Sequence, residues 1–354
     1  MTSLSPAGLD GDAVAAVDST AQAAAILGLG GQLRDALDRV DSARLRPVSA
    51  PRGVVVAGMG GSAVGGRLAV GALGDRLRRP LVGADGYDLP PWVGEGVLVL
   101  CSSYSGGTEE TLSCYEQAQR RGAAVVAATT GGLLEDRARR DDVPVIPLPT
   151  GFQPRAAVGY SLVCALEVAA LGGAAPSVRS ELEAAAEPLG ALAAEWGPGG
   201  GEDGRAKALA RRLHRTMPVI TGTGPTAPVA YRWKCQMNEN AKIPAFAGAL
   251  PEADHNEICG WAAAGDFGEL SAVFLEDPDD RPEIARRVEL TAELVDAGAR
   301  TVERVTGVGS ERLQRLLSLI LLGDLVSLYL AVLRQVDPVE IEAISALKAA
   351  LRPS

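Results

Sequence analysis

Short continuous apolar runs alternate along the chain with longer stretches in which apolar positions recur every three to four residues. Gly53–Ala57 (GVVVA) reads as a strand buried on both faces, because an unbroken β-branched run bounded by glycine leaves no polar side for solvent. A glycine turn follows, and helical spacing starts near Ser62. The same reasoning predicts strands at Pro80–Ala84, Val97–Cys101, Ala124–Ala128 and Val143–Leu148, with a helix between the Val97 and Ala124 strands. Such alternation is the pattern of a doubly wound parallel sheet. Ahead of it, residues 18–40 read as one helix whose middle is weakened by Gly28, Gly30 and Gly31.

Residues 158–196 are mostly Ala- and Leu-rich helix, and Gly197–Gly204 (GPGGGEDG) reads as a flexible loop. A second series then begins, with strands at Pro218–Thr221, Ala272–Leu275 and Arg300–Val305, each followed by a helix. Closing helices are predicted over about 310–335 and 338–351. The two series also share a local pattern. Val55 to Ala63 (VVAGMGGSA) and Val219 to Ala227 (VITGTGPTA) both run from an apolar strand through G-x-G to a hydroxyl residue and Ala opening a helix. The expected architecture is α/β: two doubly wound lobes, each a parallel sheet flanked by helices, spanning 1–175 and 176–354.

Composition narrows the function classes. A length of 354 residues suits two such lobes, and 47% hydrophobic with 22% charged residues is ordinary for a soluble globular protein. A net charge of −10 disfavours nucleic acid and anionic membranes as partners. An anionic small molecule would need a local trap of backbone N–H groups, hydroxyls, Arg and Lys. The five cysteines are odd in number and scattered without a C-x-x-C pair, which fits buried free thiols in a reduced cytoplasm. With two histidines, His214 and His255, there is no set with metal-ligand spacing, so neither a metal nor another cofactor is expected. Met1 to Val14 is acidic and loop-like, without the basic and apolar regions of a signal peptide. Leu313 to Leu333 is long enough to cross a bilayer but carries Gln314, Arg315 and Asp324. It reads as a buried core or dimer-interface helix.

The stretch from Val97 to Thr111 (VLVLCSSYSGGTEET) carries the most chemistry. An apolar strand runs into a loop holding Ser102, Ser103, Ser105, Gly106, Gly107 and Thr108, and a helix follows. Hydroxyls on a glycine-flexed turn, together with the N–H groups and positive dipole end of a helix, form an anion site. Plain capping by Ser105 or Thr108 accounts for one hydroxyl and leaves the others without a purpose. The earlier turn Gly58-Met59-Gly60-Gly61-Ser62-Ala63 is ambiguous alone. It is similar to a dinucleotide fingerprint with Asp85 as the ribose-binding acid, yet a dinucleotide enzyme has no need of the serine-rich loop.

GMGGSA at 58–63 with SYSGGTEET at 103–111 resembles the sugar isomerase (SIS) fold. The chain more narrowly resembles the bifunctional phosphoglucose/phosphomannose isomerases. The resemblance continues through Pro154-Arg155 and Gly159-Tyr160, and through Trp233 to Pro244 with its N-E-N motif (Asn238-Glu239-Asn240). It then takes in Pro251 to Glu257 with its H-N-E motif (His255-Asn256-Glu257), Asp337-Pro338 and Leu347-Lys348. It implies a phosphate held by Ser62, Ser103, Ser105 and Thr108, with Gly60 and Gly61 in the same cradle. It further implies a base at Glu239, a ring-opening His255 supplied by the second subunit of a homodimer, and Arg155 and Lys348 completing the site. Two positions depart from the family pattern: Gly107 stands where Asn is usual, and Val339 where Thr often follows Asp-Pro. The second bears on the balance between glucose and mannose 6-phosphate.

The implied chemistry suits these residue types. Aldose–ketose isomerisation moves a proton between C2 and C1 through a cis-enediol(ate), which one carboxylate, Glu239, can carry as base and then acid. A fixed cation, Arg155, answers the charge that builds on the enediolate oxygens. Opening the cyclic sugar requires a proton donor and an acceptor, shared by His255 and Lys348 in either order. A non-catalytic SIS-type sugar-phosphate-binding regulator is the alternative; it has no use for an acid, a histidine and a lysine in the second lobe. Binding of fructose 6-phosphate without solvent exchange at C1 or C2 would identify it.

Overall fold

The computed structural model describes residues 8–351, the side chains of Lys348 and Ala349 excepted. The chain turns helical at α1 (Gly11–Ala15), where the Asp10 carboxylate accepts the Ala13 N–H at 2.9 Å, so the acidic N-terminal segment is not loop as far as Val14. The single helix expected over 18–40 is two, α2 (Gln22–Leu27) and α3 (Leu29–Ser42), parted at Gly28. The first sheet series then runs β1 (Gly53–Ala57), α4 (Gly61–Leu73), β2 (Leu81–Ala84), β3 (Val97–Ser102), α5 (Glu109–Arg120), β4 (Ala124–Thr129), α6 (Gly132–Arg140) and β5 (Val145–Pro147). Helices α7 (Val158–Leu171), α8 (Arg179–Trp196) and α9 (Arg205–Leu213) lead to β6 (Met217–Gly222) and α10 (Ala227–Asn240). The chain ends through β7 (Phe246–Ala249), β8 (Leu270–Glu276), α11 (Pro282–Val295), β9 (Thr301–Thr306), α12 (Arg312–Arg334) and α13 (Glu342–Ala350).

Both sheets are parallel, in the orders β2-β1-β3-β4-β5 and β7-β6-β8-β9. Every residue of β1 and β3 is buried, as a strand covered by helices on both faces requires. The two-residue period divides them. Val54, Val56, Leu98 and Leu100 face a core shared with α4 and α7, whereas Val55, Val99 and Cys101 face α5 and α6. The first of these cores is continuous with that of the second sheet, taking in Ile220, Val273 and Leu275 and the apolar residues of α12. On the far side of the second sheet, Phe274 packs with Val288 and Val295 of α11.

Helix α12 therefore lies inside the molecule, packed on α8, α9 and α10, with nearly its whole length buried. That settles the choice left by its apolarity: it is a core helix. The cysteines are more varied than expected, since Cys101, Cys114 and Cys164 are buried but Cys235 is half-buried and Cys259 exposed. One strand, β7, has no counterpart in the sequence pattern. It is four residues long, mostly exposed, and paired within the described residues to β6 alone.

Candidate active site

In the first sheet, strand order reverses between β1 and β3, and the loops leaving their C-terminal ends meet there, the place where open α/β sheets bind ligands. The β1–α4 turn passes through Gly60 at φ +51°, a conformation that favours glycine. At Gly61 an added Cβ would lie 2.6 Å from the Pro154 carbonyl oxygen and 2.8 Å from the Arg155 nitrogen. Only glycine lets the turn at Pro154–Ala156 approach so closely, and that approach delivers Arg155 to the head of α4.

The β3–α5 loop is joined to this turn by the Tyr104 N–H, which donates to Ser62 Oγ at 3.2 Å. Ser103 Oγ donates to Thr108 Oγ1 at 2.9 Å, and the Gly107 N–H donates to Ser105 Oγ at 3.3 Å. Thr108 is the N-cap residue of α5, yet its hydroxyl makes no capping bond. Capping does not explain these hydroxyls. Ser62, Ser103, Ser105 and Thr108 belong to two linked loops at the N-termini of α4 and α5, where the helix dipoles favour an anion.

The second lobe repeats the strand–turn–helix shape but closes it. Thr226 Oγ1 accepts the Thr223 N–H at 2.8 Å and donates to the Leu275 carbonyl at 2.6 Å, while Pro225 has no N–H to offer. The repeat survives as backbone geometry, and its hydroxyl is bonded within the turn and to β8.

A cavity of about 230 Å³ is lined by Gly60, Gly61, Arg67 and Arg155 from the first lobe and by Tyr231, Arg232 and Glu239 from the second. Glu239 closes α10, and its Oε2 is 3.5 Å from Arg155 Nη1. Arg155 is buried and held on three sides. Its Nε donates to Asn240 Oδ1 at 2.7 Å, and its Nη2 donates to the carbonyls of Pro338 and Val339 at 2.7 and 3.1 Å. Burial draws its pKa down, and the carboxylate of Glu239 partly offsets this. A guanidinium still keeps its charge there. Nη1 is the nitrogen left toward Glu239 and the cavity.

Several residues of this site went unremarked in the sequence. Arg232, buried, pairs with Asp324 at 3.1 and 2.6 Å and donates to the Arg155 carbonyl at 2.9 Å. Burial pushes the Asp324 carboxyl up, against the pull of Arg232 and Gln236. Lys242 ties the end of α10 down, donating to the carbonyls of Glu239 at 2.9 Å and Asp337 at 2.6 Å; burial and then Arg155 draw its pKa down. Arg67 reaches the cavity from α4, paired with Asp85 and stacked 4.8 Å over the Tyr231 ring. Asp85 is thus the partner of an arginine. The available signal was an acid in the middle of an apolar helix, Asp324, which has to be matched by a buried cation.

Of the expected residues, Gly60, Gly61, Arg155 and Glu239 line the cavity. Ser62, Ser103, Ser105 and Thr108 lie in the adjoining loops and are not among its lining residues, and two more stand apart from it. His255 sits exposed on the short turn Glu252–His255 after β7 and does not line the cavity. Lys348 belongs to α13 by its backbone, and its side chain lies outside the described residues.

Residues 202–351 match the family model of the bacterial phospho-glucose isomerase C-terminal SIS domain. A bifunctional phosphoglucose/phosphomannose isomerase from Caldicellulosiruptor bescii is 40% identical over 298 residues, covering 83% of this chain and 88% of that one. One from Aquifex aeolicus is 35% identical over 302 residues, covering 85% and 91%. Among solved structures, a glucose-6-phosphate isomerase like protein from Thermus thermophilus superposes with a TM-score of 0.62 at 21% identity, covering 97% of this chain and 99% of that one. Tagatose-6-phosphate ketose/aldose isomerase from Escherichia coli superposes with a TM-score of 0.66 at 13% identity, covering 89% and 93%. At such identities the structural likeness speaks for the fold.

Proposed function

This chain belongs to the family of bifunctional phosphoglucose/phosphomannose isomerases, and from that premise we propose that it interconverts glucose 6-phosphate, mannose 6-phosphate or both with fructose 6-phosphate through a cis-enediol proton transfer. The observation that carries the reading is the single cavity in which the Glu239 carboxylate and the Arg155 guanidinium face the glycine turn at the head of α4.

The phosphate is assigned to Gly60, Gly61, Ser62, Ser103, Ser105 and Thr108, supported by the linkage of their two loops and the two helix N-termini. Glu239, only partly exposed, takes the proton from C2 and returns it at C1. Arg155 Nη1, fixed beside that carboxylate, stabilises the enediolate oxygens as they gain charge. The rest of the guanidinium is already bonded, so it needs no reorganisation during the reaction.

His255 and Lys348 are assigned to ring opening, with His255 serving the cleft of a second copy of the chain. Support for a homodimer comes from the surface around His255. Phe246 and Phe267 are 53% and 81% exposed there, beside an apolar groove of about 480 Å³ and the free edge of β7. A cytoplasmic setting belongs to the same proposal, supported by an apolar helix spent inside the core.

The deciding experiment is Glu239→Gln, assayed in both directions with both aldose phosphates. Turnover and solvent-hydrogen exchange at C1 and C2 should fall by on the order of 10²–10⁴-fold, while fructose 6-phosphate still binds. Exchange at the wild-type rate would remove Glu239 from the role of base.

A further inference from the structure

The side chain of Arg155 is held in part by Asn240, which is not among the residues lining the cavity, and the direction of each hydrogen bond behind it can be deduced. Asn240 and Ser327 are both 0% exposed. The Ser327 hydroxyl donates its proton to the Asp324 carbonyl at 2.7 Å, one turn back on α12. With that proton committed, Ser327 Oγ can only accept, and it accepts from Asn240 Nδ2 at 2.9 Å. The amide is thereby oriented, leaving Oδ1 as the one end able to receive Arg155 Nε, at 2.7 Å. A hydroxyl on the second lobe's core helix thus sets the orientation of a guanidinium contributed by the first lobe.

The helix that carries Ser327 also holds the backbone of Arg155. Asp324 binds Arg232, and Arg232 donates to the Arg155 carbonyl. Asp324 and Ser327 lie on the same stripe of α12 at i and i+3, so one helix face secures Arg155 at main chain and side chain together. Glu239 and Asn240 are neighbours on α10. Successive helical residues point about 100° apart, which sends the carboxylate to the cavity and the amide into the core.

Resting on the catalytic reading above, we infer that Asn240 and Ser327 are positioning residues whose relay from α12 aims Arg155 Nη1 at the reacting carbons. Truncating Ser327 leaves a buried amide hydrogen without a partner. The amide then keeps only its bond to Arg155, so Oδ1 and the guanidinium it receives are held less firmly. Both residues otherwise satisfy buried polar groups, so a stability measurement alone does not separate positioning from packing.

The test compares Ser327→Ala, Ser327→Thr, Arg155→Lys and the double variant Ser327→Ala/Arg155→Lys, with kcat and KM for fructose 6-phosphate and a thermal melt on each folded preparation. Ser327→Ala should lose roughly ten- to hundredfold in kcat with KM near the wild-type value, as expected when a catalytic group is displaced without loss of the phosphate site. Ser327→Thr, which keeps the hydroxyl, should recover most of that loss. In the Arg155→Lys background, where no Nε–H fork meets Asn240, Ser327→Ala should cost little more. A wild-type kcat in Ser327→Ala, a Thr variant no better than Ala, or an undiminished loss in the double variant overturns the relay. Arg155→Lys with wild-type kcat instead refutes the assignment of Arg155 itself, and the relay with it.

Discussion

At the scale of single residues, the glycines of the β1–α4 and β3–α5 turns do different work although they look alike in the sequence. Gly61 is required by a neighbour, because a methyl there would press on the carbonyl of Pro154 beside Arg155. Gly106 is required by its own backbone, with φ +66°, and by the Gly131 carbonyl that a side chain would overlap. Gly107 has open space around it. Gly61→Ala should therefore cost about 1–3 kcal/mol of stability and lower kcat together with phosphate affinity. Gly107→Asn should leave the melting temperature unchanged and tighten binding of inorganic phosphate through the added amide. Steady-state kinetics, phosphate inhibition and thermal melts check the pair. A Gly61→Ala enzyme with wild-type constants would contradict the close approach, and a destabilised Gly107→Asn would contradict the open space.

At the scale of elements, the crossing of α10 and α12 joins the core to the site. Trp233, fully buried, donates its indole N–H to the Leu319 carbonyl at 2.8 Å, and the ring lies over Gly323, where any Cβ would overlap the indole nitrogen. That glycine is kept in mid-helix despite its helix-propensity cost, because it admits the ring. Gly323→Ala should destabilise the protein by about 1–3 kcal/mol, seen as a lower urea midpoint at unchanged slope. An unchanged midpoint would mean that the ring can be accommodated elsewhere. Helix α12 was legible as a helix from its apolarity, but its purpose was not. Asp324 looked like a charge that argues against a membrane, and its partner Arg232 is distant in the sequence.

At the scale of the whole molecule, each lobe supplies half of a site. The first lobe brings the head of α4 and Arg155; the second brings Glu239 and the buried network that holds Arg155. The corresponding turn of the second lobe is bridged instead by Thr226, which accepts the Thr223 N–H. If His255 serves a partner's cleft, Glu239→Gln and His255→Ala variants, each inactive, should regain partial turnover when unfolded and refolded together. Refolding each alone is the control. No recovery in a mixture that forms mixed dimers would place His255 in its own subunit's site or outside catalysis.

Local pattern was enough for most of the elements. Gly53–Ala57, the run from Val97 and the helix opening near Ser62 follow from side-chain period and glycine placement, which act over a few residues. The family resemblance pointed to Glu239 and Arg155, which the fold brings together. β7 escaped because FAGA is short, exposed and flanked by proline, so nothing in its composition demands a strand; pairing with β6 creates it. Gly28 was legible as a weak point, though not as a break, and the roles of Asn240, Ser327, Asp324 and Arg232 emerge only in three dimensions. A buried polar group must find its partner wherever the fold places one, and here the partners lie 77 to 92 residues apart along the chain.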